Sequence, residues 1–310
     1  MNPRRVLGRL RSRLRWKLGA RWDRWFPGDA WDGVHDPSIE AIPPWSGMGD
    51  GRFLRDWLGT RVDPVVREAW TADPPGPVEK PVPRPSAVYA ELAFVLRAVT
   101  SPSRLPGART VLELGAGFGP WLLTLESASR RVAGPTYRLV GVEAHPERVR
   151  WMREHFEHNA IDPGRCEAIL AGIGATSGRA WFMPATGIGS AYGESIAVGP
   201  TGRAGEVEVP VMALADLIER QRPIELIHAD VQGTEIALFD EPVFDRLNED
   251  VARIGVATHS RAIGRQLRRR FEAAGWVVVQ DWRQRARERT PWGAVRFEDG
   301  WLAVENPRWT

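Results

Sequence analysis

The run Glu113-Leu-Gly115-Ala-Gly117-Phe-Gly119 puts an acid two residues before three alternating glycines. Glycines let the backbone turn sharply and let a ligand approach with no Cβ in the way. A dinucleotide fingerprint is spaced G-x-G-x-x-G. Here the third glycine comes one residue early, and Pro120 holds the fingerprint position. A pyrophosphate does not want a carboxylate beside it; a cationic ligand does. Taken alone, the run is also compatible with a glycine-rich loop that binds nothing. A second acid, Glu143, closes Gly141-Val-Glu143. There it could accept both hydroxyls of a ribose, or be a surface glutamate at a strand end. The third group is Asp230-Val-Gln232-Gly-Thr-Glu235, straight after an apolar run. A buried strand ending in three polar side chains needs partners for them. A sulfonium amino acid, a metal or a substrate hydroxyl would serve. Helix capping by Asp230 or Thr234 explains one of these residues, not all. His259 titrates near neutral pH and should face the same edge as Asp230, unless it is a hydrogen-bonded structural histidine.

These groups need strands to carry them to one edge. From Thr110 the pattern alternates strand and helix, which is the signature of a parallel sheet. The expected strands are Thr110–Leu114, Arg138–Glu143, Cys166–Ala171, Ile224–Ala229 and Ala252–Thr258, closed by Trp276–Asp281 and Gly300–Glu305, the last pair antiparallel. Helices are expected over Trp121–Ser129, with Pro120 in the first turn, then Pro146–Asn159, Ala213–Gln221, Glu235–Leu247 broken near Pro242, and Ala262–Ala274. Ser86 reads as the N-cap of a further helix reaching Val99. Ala180–Met183 and Val207–Val211 read as small extra strands, and Gly187–Gly205 as a functional loop.

The N-terminal third is different in kind. Residues 1–26 set Val6, Leu7, Leu10, Leu14, Leu18, Trp22 and Trp25 at helical spacing among arginines. Such a basic amphipathic helix packs on its own domain or a second subunit, or lies on an anionic membrane. Residues 27–73 are rich in Trp, Pro and Gly, with short helices expected over Arg52–Leu58 and Pro64–Trp70. They read as a substrate lid or as a hydrophobic cap on the sheet. Half of residues 74–85 are proline, so a linker is expected there, dividing a helical extension (1–85) from the main domain (86–310).

Composition narrows the classes. The 310 residues carry a formal net charge of only +3, and a single cysteine, Cys166, rules out an intramolecular disulfide or a multi-cysteine zinc site. A reducing, cytoplasmic setting is the natural expectation. No apolar run approaches the ~20 residues that span a bilayer, and no apolar signal core follows the basic start.

The Glu113-x-Gly-x-Gly-x-Gly119 run resembles the first motif of class I S-adenosylmethionine (SAM) methyltransferases. Asp230-Val-Gln-Gly-Thr-Glu235 resembles the D-x-x-G-x-E signature of FkbM-type methyltransferases. So do the segments leading into it, Val209–Leu217 and Ile224–Ala229, together with Gly172–Gly178 and the loop around Gly189–Gly193. The resemblance spans roughly residues 107–280 and leaves out the N-terminal third. It implies an α/β fold of the class I, Rossmann-like type: a seven-stranded, mostly parallel sheet with helices on both faces, plus the helical Trp/Arg-rich extension.

It also implies a SAM site at Glu113, Gly115, Ala116, Gly117, Gly119, Glu143, Ala144, Gly172, Ile173, Asp230 and Gln232, with Asp230 and His259 as candidates for the base. Many family members carry an acid two residues before the histidine, where Ala257 stands here. The implied reaction is O-methylation of a small-molecule hydroxyl, on a sugar or polyketide-type product. N-methylation of an amine and a non-catalytic SAM-binding protein are the alternatives. Magnesium beside Asp230 and Glu235 is a further option, seen in related natural-product enzymes. His155 and His158 sit i, i+3 and read as a solvated helix face rather than metal ligands. No Asn/Asp-Pro-Pro-Tyr base-flipping motif follows the fourth strand, so no nucleic-acid substrate is expected. A homodimer fits the basic N-terminal helix.

Overall fold

The computed structural model describes residues 30–67, 70–182 and 205–310. Its centre is a seven-stranded sheet. In chain order the strands are β1 (Thr110–Leu114), β2 (Arg138–Glu143), β3 (Cys166–Leu170), β4 (Ile224–Ala229), β5 (Val251–Thr258), β6 (Val277–Trp282) and β7 (Gly300–Glu305). Their spatial order is β6-β7-β5-β4-β1-β2-β3. β1 to β5 run parallel to their neighbours; β7 runs antiparallel between β5 and β6. Every residue of β1, β4 and β5 is buried, as strands covered on both faces must be. The strands therefore read as near-continuous apolar runs, and a glutamate or histidine within one marks a position needing a polar partner.

Helices cover both faces. They are α1 (Ala87–Thr100), α2 (Pro120–Arg131), α3 (Pro146–His158), α4 (Leu214–Gln221), α5 (Glu235–Leu238), α6 (Phe244–Asp250) and α7 (Arg261–Ala273). Ser86 caps α1 by accepting from the Tyr89 N–H, as its type and position predict. Phe94, Leu122 and Trp301 belong to the core on one face; Leu114, Leu217, Ile227 and Phe271 belong to that on the other. On the second face the expected helix Glu235–Leu247 is split into α5, a 3-10 turn at Glu241–Val243 and α6, around Pro242.

The N-terminal third departs from the sequence reading. Residues 1–29, where the amphipathic helix was expected, lie outside the described residues, as does most of the Gly187–Gly205 loop. Arg52–Leu58 is not a helix. Leu54–Arg55 pairs with Arg61–Val62, and the turn between them is built by Asp56, whose Oδ1 accepts from the N–H groups of Leu58 and Thr60. A local side-chain acceptor of this kind competes with helical bonding. Pro64–Trp70 is reduced to a 3-10 turn over Pro64–Val66, capped by Asp63. Part of the proline-rich segment, Gly76–Glu79, is a strand paired with Ser46–Gly49. Trp57, Leu58, Val62 and Val66 share the first core with α1 and α2, which is the arrangement of a hydrophobic cap. An unexpected hairpin, Ala286–Thr290 with Gly293–Phe297, lies between β6 and β7 and pairs with Ala30–Trp31.

One buried ion cluster ties the amino edge of the sheet. Glu225 on β4 is fully buried and contacts Arg253 of β5 and Arg109 (3.0 Å), and it accepts from Ser103 Oγ (2.6 Å) and the Ser103 N–H (2.9 Å). Arg253 also reaches Glu305 of β7 at 3.1 Å. Removing one member of a buried pair leaves the other charge unsatisfied, at a cost of about 3–5 kcal/mol. Arg253→Leu should therefore lower the urea-unfolding free energy by about that amount. A loss below about 1 kcal/mol would mean that Arg109 and Ser103 satisfy Glu225 unaided.

Candidate active site

Four strand ends converge at the carboxyl edge, where open α/β sheets bind their ligands. β1 ends in a left-handed turn: Gly115, Gly117 and Gly119 have φ of 73°, 54° and 80°. The turn is fastened to β2, because the N–H groups of Gly115 and Ala116 both donate to the Val142 carbonyl (2.9 and 3.0 Å). It also touches the end of β4: a Cβ on Gly115 would lie 2.0 Å from the Asp230 carbonyl oxygen. The Asp230 N–H donates to the Leu114 carbonyl at 2.9 Å, so the two turns are locked together.

Between them opens a cavity of about 690 Å³, its mouth included. Gly115, Gly117, Glu143, Ala144, Gly172, Ile173, Asp230 and Gln232 line it. These eight come from the sequence-expected set. Val142, Arg148, Ala171, Phe182, Val231 and Thr234 complete the wall. Val142, Val231 and Thr234 lie within or beside the quoted motifs, whereas Arg148, Ala171 and Phe182 gave no motif signal.

Glu143 is held rigidly. The Gly117 N–H donates to its Oε2 and the His145 N–H to its Oε1, both at 2.8 Å. Each carboxylate oxygen keeps a further acceptor lobe. Gln232 has a left-handed backbone (φ 53°), a strained state for a residue with a side chain, and its amide donates to Asp230 Oδ1 at 2.9 Å.

Three expected residues stand off the cavity wall. Glu113 is buried beneath the turn and accepts from the N–H groups of Leu122 (3.1 Å) and Trp121 (3.5 Å). Gly119 offers α2 no side-chain cap, and Glu113 fills that need from the strand below. Burial pushes its carboxyl up to about 8, against the opposing pull of nearby His228 and those two N–H groups. Ala116 is buried in the turn, and Gly119 starts α2 against Met152.

His259 also lies off the wall, behind Asp230. Its Nδ1 is in close contact with Glu235 Oε1, and its Nε2 lies 3.2 Å from Asp230 Oδ1, an ion-pair distance without hydrogen-bond alignment. Burial would lower the imidazole, but the contacts with Asp230 and Glu235 prevail and raise it to about 10. The two acids considered for magnesium thus both face a cation. Among the described residues no group of three His, Cys, Asp or Glu side chains could hold a metal.

One further titratable pair escaped the sequence reading. His228, on β4 beside Glu113, puts its Nε2 3.1 Å from Glu91 Oε2 of α1. An isolated histidine in an apolar strand and a glutamate on a distant helix give no joint signal. His155, expected on a solvated helix face, is instead fully buried and structural: the Asp63 N–H donates to its Nε2 at 2.9 Å, and burial lowers it.

The sequence profile of the Methyltransferase FkbM domain matches residues 113–275, just over half of the chain. The chain belongs to the FkbM methyltransferase family. A protein of Jannaschia sp. (strain CCS1) named "Putative methyltransferase" is 26% identical over 236 residues, covering 74% of this chain and 83% of that one. The crystal structure of the methyltransferase FkbM from Methylobacillus flagellatus KT is similar at 10% identity and a TM-score of 0.40, over 70% of this chain. This chain spans 55% of that protein's length. An rRNA methylase of Streptococcus thermophilus is similar at 11% identity and a TM-score of 0.39, over 72% of this chain and 97% of that one. The FkbM match begins at Glu113 and ends just past α7, so it contains the glycine turn, Glu143, Asp230 and His259.

A histidine raised to about 10 stays an imidazolium throughout the physiological range. The His259 ring resonances, assigned by comparison with His259→Gln, should show no titration between about pH 5 and 8 in an NMR series, against the ordinary midpoint near 6.5. The sign for stability follows. The raised value stabilises the fold fully below the unfolded midpoint, and that stabilisation is lost as pH rises through about 10.

Proposed function

We propose that this chain is a SAM-dependent methyltransferase acting on a hydroxyl of a small molecule. The observation that carries the reading is the cavity at the carboxyl edge, with a Cβ-free turn on one side and Glu143 and Asp230 on the others. The residues fit the cofactor in kind. Glu143, already fixed by two N–H groups, has free acceptor lobes for a pair of ribose hydroxyls. Gly115 and Gly117 admit a ligand against bare backbone, and Ile173 and Phe182 offer apolar wall to an adenine. Asp230 and Gln232 place polar groups where a cationic amino acid would be accepted. S-adenosylmethionine supplies, when bound, a methyl group activated on a sulfonium centre.

The chain's own task is to align the acceptor oxygen, exclude water and remove a proton. We assign the proton to Asp230. His259 carries both ring protons in the resting state, so it has no lone pair to offer as a base. Glu235, fully buried, holds the imidazolium from behind, and the imidazolium fixes the Asp230 carboxylate in front. The hydroxyl proton becomes strongly acidic only as its oxygen takes on a new bond, so a carboxylate in reach of that oxygen can accept it. His259 is then a positioning cation, and its loss should change kcat more than cofactor affinity.

Two measurements test this. Titration calorimetry with S-adenosylhomocysteine should show one site, weakened about tenfold or more in Glu143→Ala, the loss expected for charge-assisted hydrogen bonds. No binding to the parent chain would end the reading. In Asp230→Asn, turnover at saturating cofactor should fall about 10²–10⁴-fold, the usual contribution of a general base, beyond any loss of cofactor affinity. Undiminished turnover in that variant would remove Asp230 from the role.

A further inference from the structure

A second groove opens at the carboxyl end of β5, between α7 and the end of β6. Its floor includes Thr258, the residue before His259. One wall is α7, contributing Arg261, Arg265, Arg268 and Arg269; the other is the end of β6 with Arg283 and Gln284. Arginines at 261, 265, 268 and 269 follow the i, i+4, i+7, i+8 spacing of one helical face. Its volume is about 1020 Å³ including the open mouth, larger than the cavity beside Glu143.

The charges in this groove are not balanced. Two acids line it, Glu272 and Asp281, and both are engaged by Arg268 at 2.9 and 2.8 Å. Arg283 is paired with Glu288. Arg261 donates to the carbonyls of Gln284 (2.9 Å) and Arg285 (3.0 Å), which orient it, and among the described residues no carboxylate pairs with it. Among the described residues no carboxylate pairs with Arg265 or Arg269. Elsewhere some exposed arginines have acids beside them, as Arg150 has Glu147 and Glu154 and as Arg138 and Arg220 share Glu167, while others, such as Arg61 and Arg153, donate to main-chain carbonyls. What sets α7 apart is that it stacks like charges at i, i+4 along one groove wall, an arrangement that costs helix stability. The guanidinium fork matches phosphate geometry better than any other side chain.

We propose that this groove is an anion site, and that the methyl acceptor is a phosphorylated hydroxyl compound whose phosphate or diphosphate limb lies along Arg261, Arg265 and Arg269. This rests on the methyl-transfer reading for the hydroxyl end of the acceptor. The limb enters from the carboxyl edge, because Thr258, Arg261 and Gln284 sit at the strand and helix ends that flank His259. The three arginines span eight residues, or about 12 Å of helix. That is the length of a phosphorylated small molecule; a nucleic acid needs a longer basic track to gain its usual affinity.

The test uses the full chain, its Arg265→Gln/Arg269→Gln variant, and inorganic pyrophosphate as probe at about 0.15 M ionic strength. Both positions are exposed, and the variant should unfold at the parent temperature. Pyrophosphate should bind the parent chain at one site and the variant about tenfold or more weakly, with S-adenosylhomocysteine affinity the same in both. In a transfer assay, sugar phosphates should be methylated in preference to the same sugars without phosphate, and the variant should raise their KM with kcat unchanged. Absent pyrophosphate binding, or equal binding by variant and parent, overturns the proposal. So does a single-stranded oligonucleotide that binds more tightly than pyrophosphate and is weakened by the same variant, since the face would then be a nucleic-acid surface. A chain that fails to bind S-adenosylhomocysteine would instead refute the methyl-transfer reading, which the pyrophosphate titration does not use.

Discussion

The end of β1 and the end of β4 meet backbone to backbone, and the active edge depends on that contact. With 2.0 Å between the place a Gly115 Cβ would occupy and the Asp230 carbonyl, no other residue type fits without moving one turn. The Asp230 N–H to Leu114 bond makes the approach a fixed one. Because the same turn is bonded to Val142, the ends of three strands form a single rigid rim. The cavity is the space that rim encloses. Its acids are therefore positioned by main chain, whose geometry is stiffer than that of side chains on loops.

β4 handles charge differently at its two ends. At the amino end Glu225 is buried and surrounded by two arginines and a serine. At the carboxyl end Asp230 is partly exposed and shares one histidine with a fully buried glutamate. Glu235 Oε2 has no hydrogen-bond partner there. The first arrangement closes every acceptor and holds strands together. The second leaves one buried acceptor without a partner and keeps Asp230 partly exposed at the cavity edge, where a ligand can reach it.

Much of the main sheet could be read from the chain because fully buried parallel strands are unbroken apolar runs. Ile224–Ala229 and Thr110–Leu114 begin and end where the residue types change. The glycine turn, Glu143 and the Asp230 cluster were legible for the same reason: each sits at a strand end and interrupts the pattern. Glu113 was visible as an acid, but its burial under α2 was not, because which donor reaches it depends on where Gly119 starts the helix. The Glu235–His259 contact joins residues 24 apart that no spacing rule connects. Around Asp56, a single carboxylate taking two N–H groups replaced an expected helix with a turn, and propensity summed over Arg52–Leu58 does not register that. The hairpin 286–297 alternates arginine with smaller residues, a weak signal beside the long strands around it.

The place of β7 bears on how the chain comes together. Residues 300–305 wedge between β5 and β6, although β6 precedes them in sequence and both neighbours are made first. Until that segment has been synthesised, the long edge of β5 has no strand on its outer side, and Trp301 is absent from the core face it shares with Phe94. From the completion of β5 until β7 is made, a nascent chain therefore carries an exposed apolar strand edge, which is the condition that invites aggregation and chaperone capture. β7 acts as the latch of the sheet, and completing the sheet is tied to the arrival of residues 300–305.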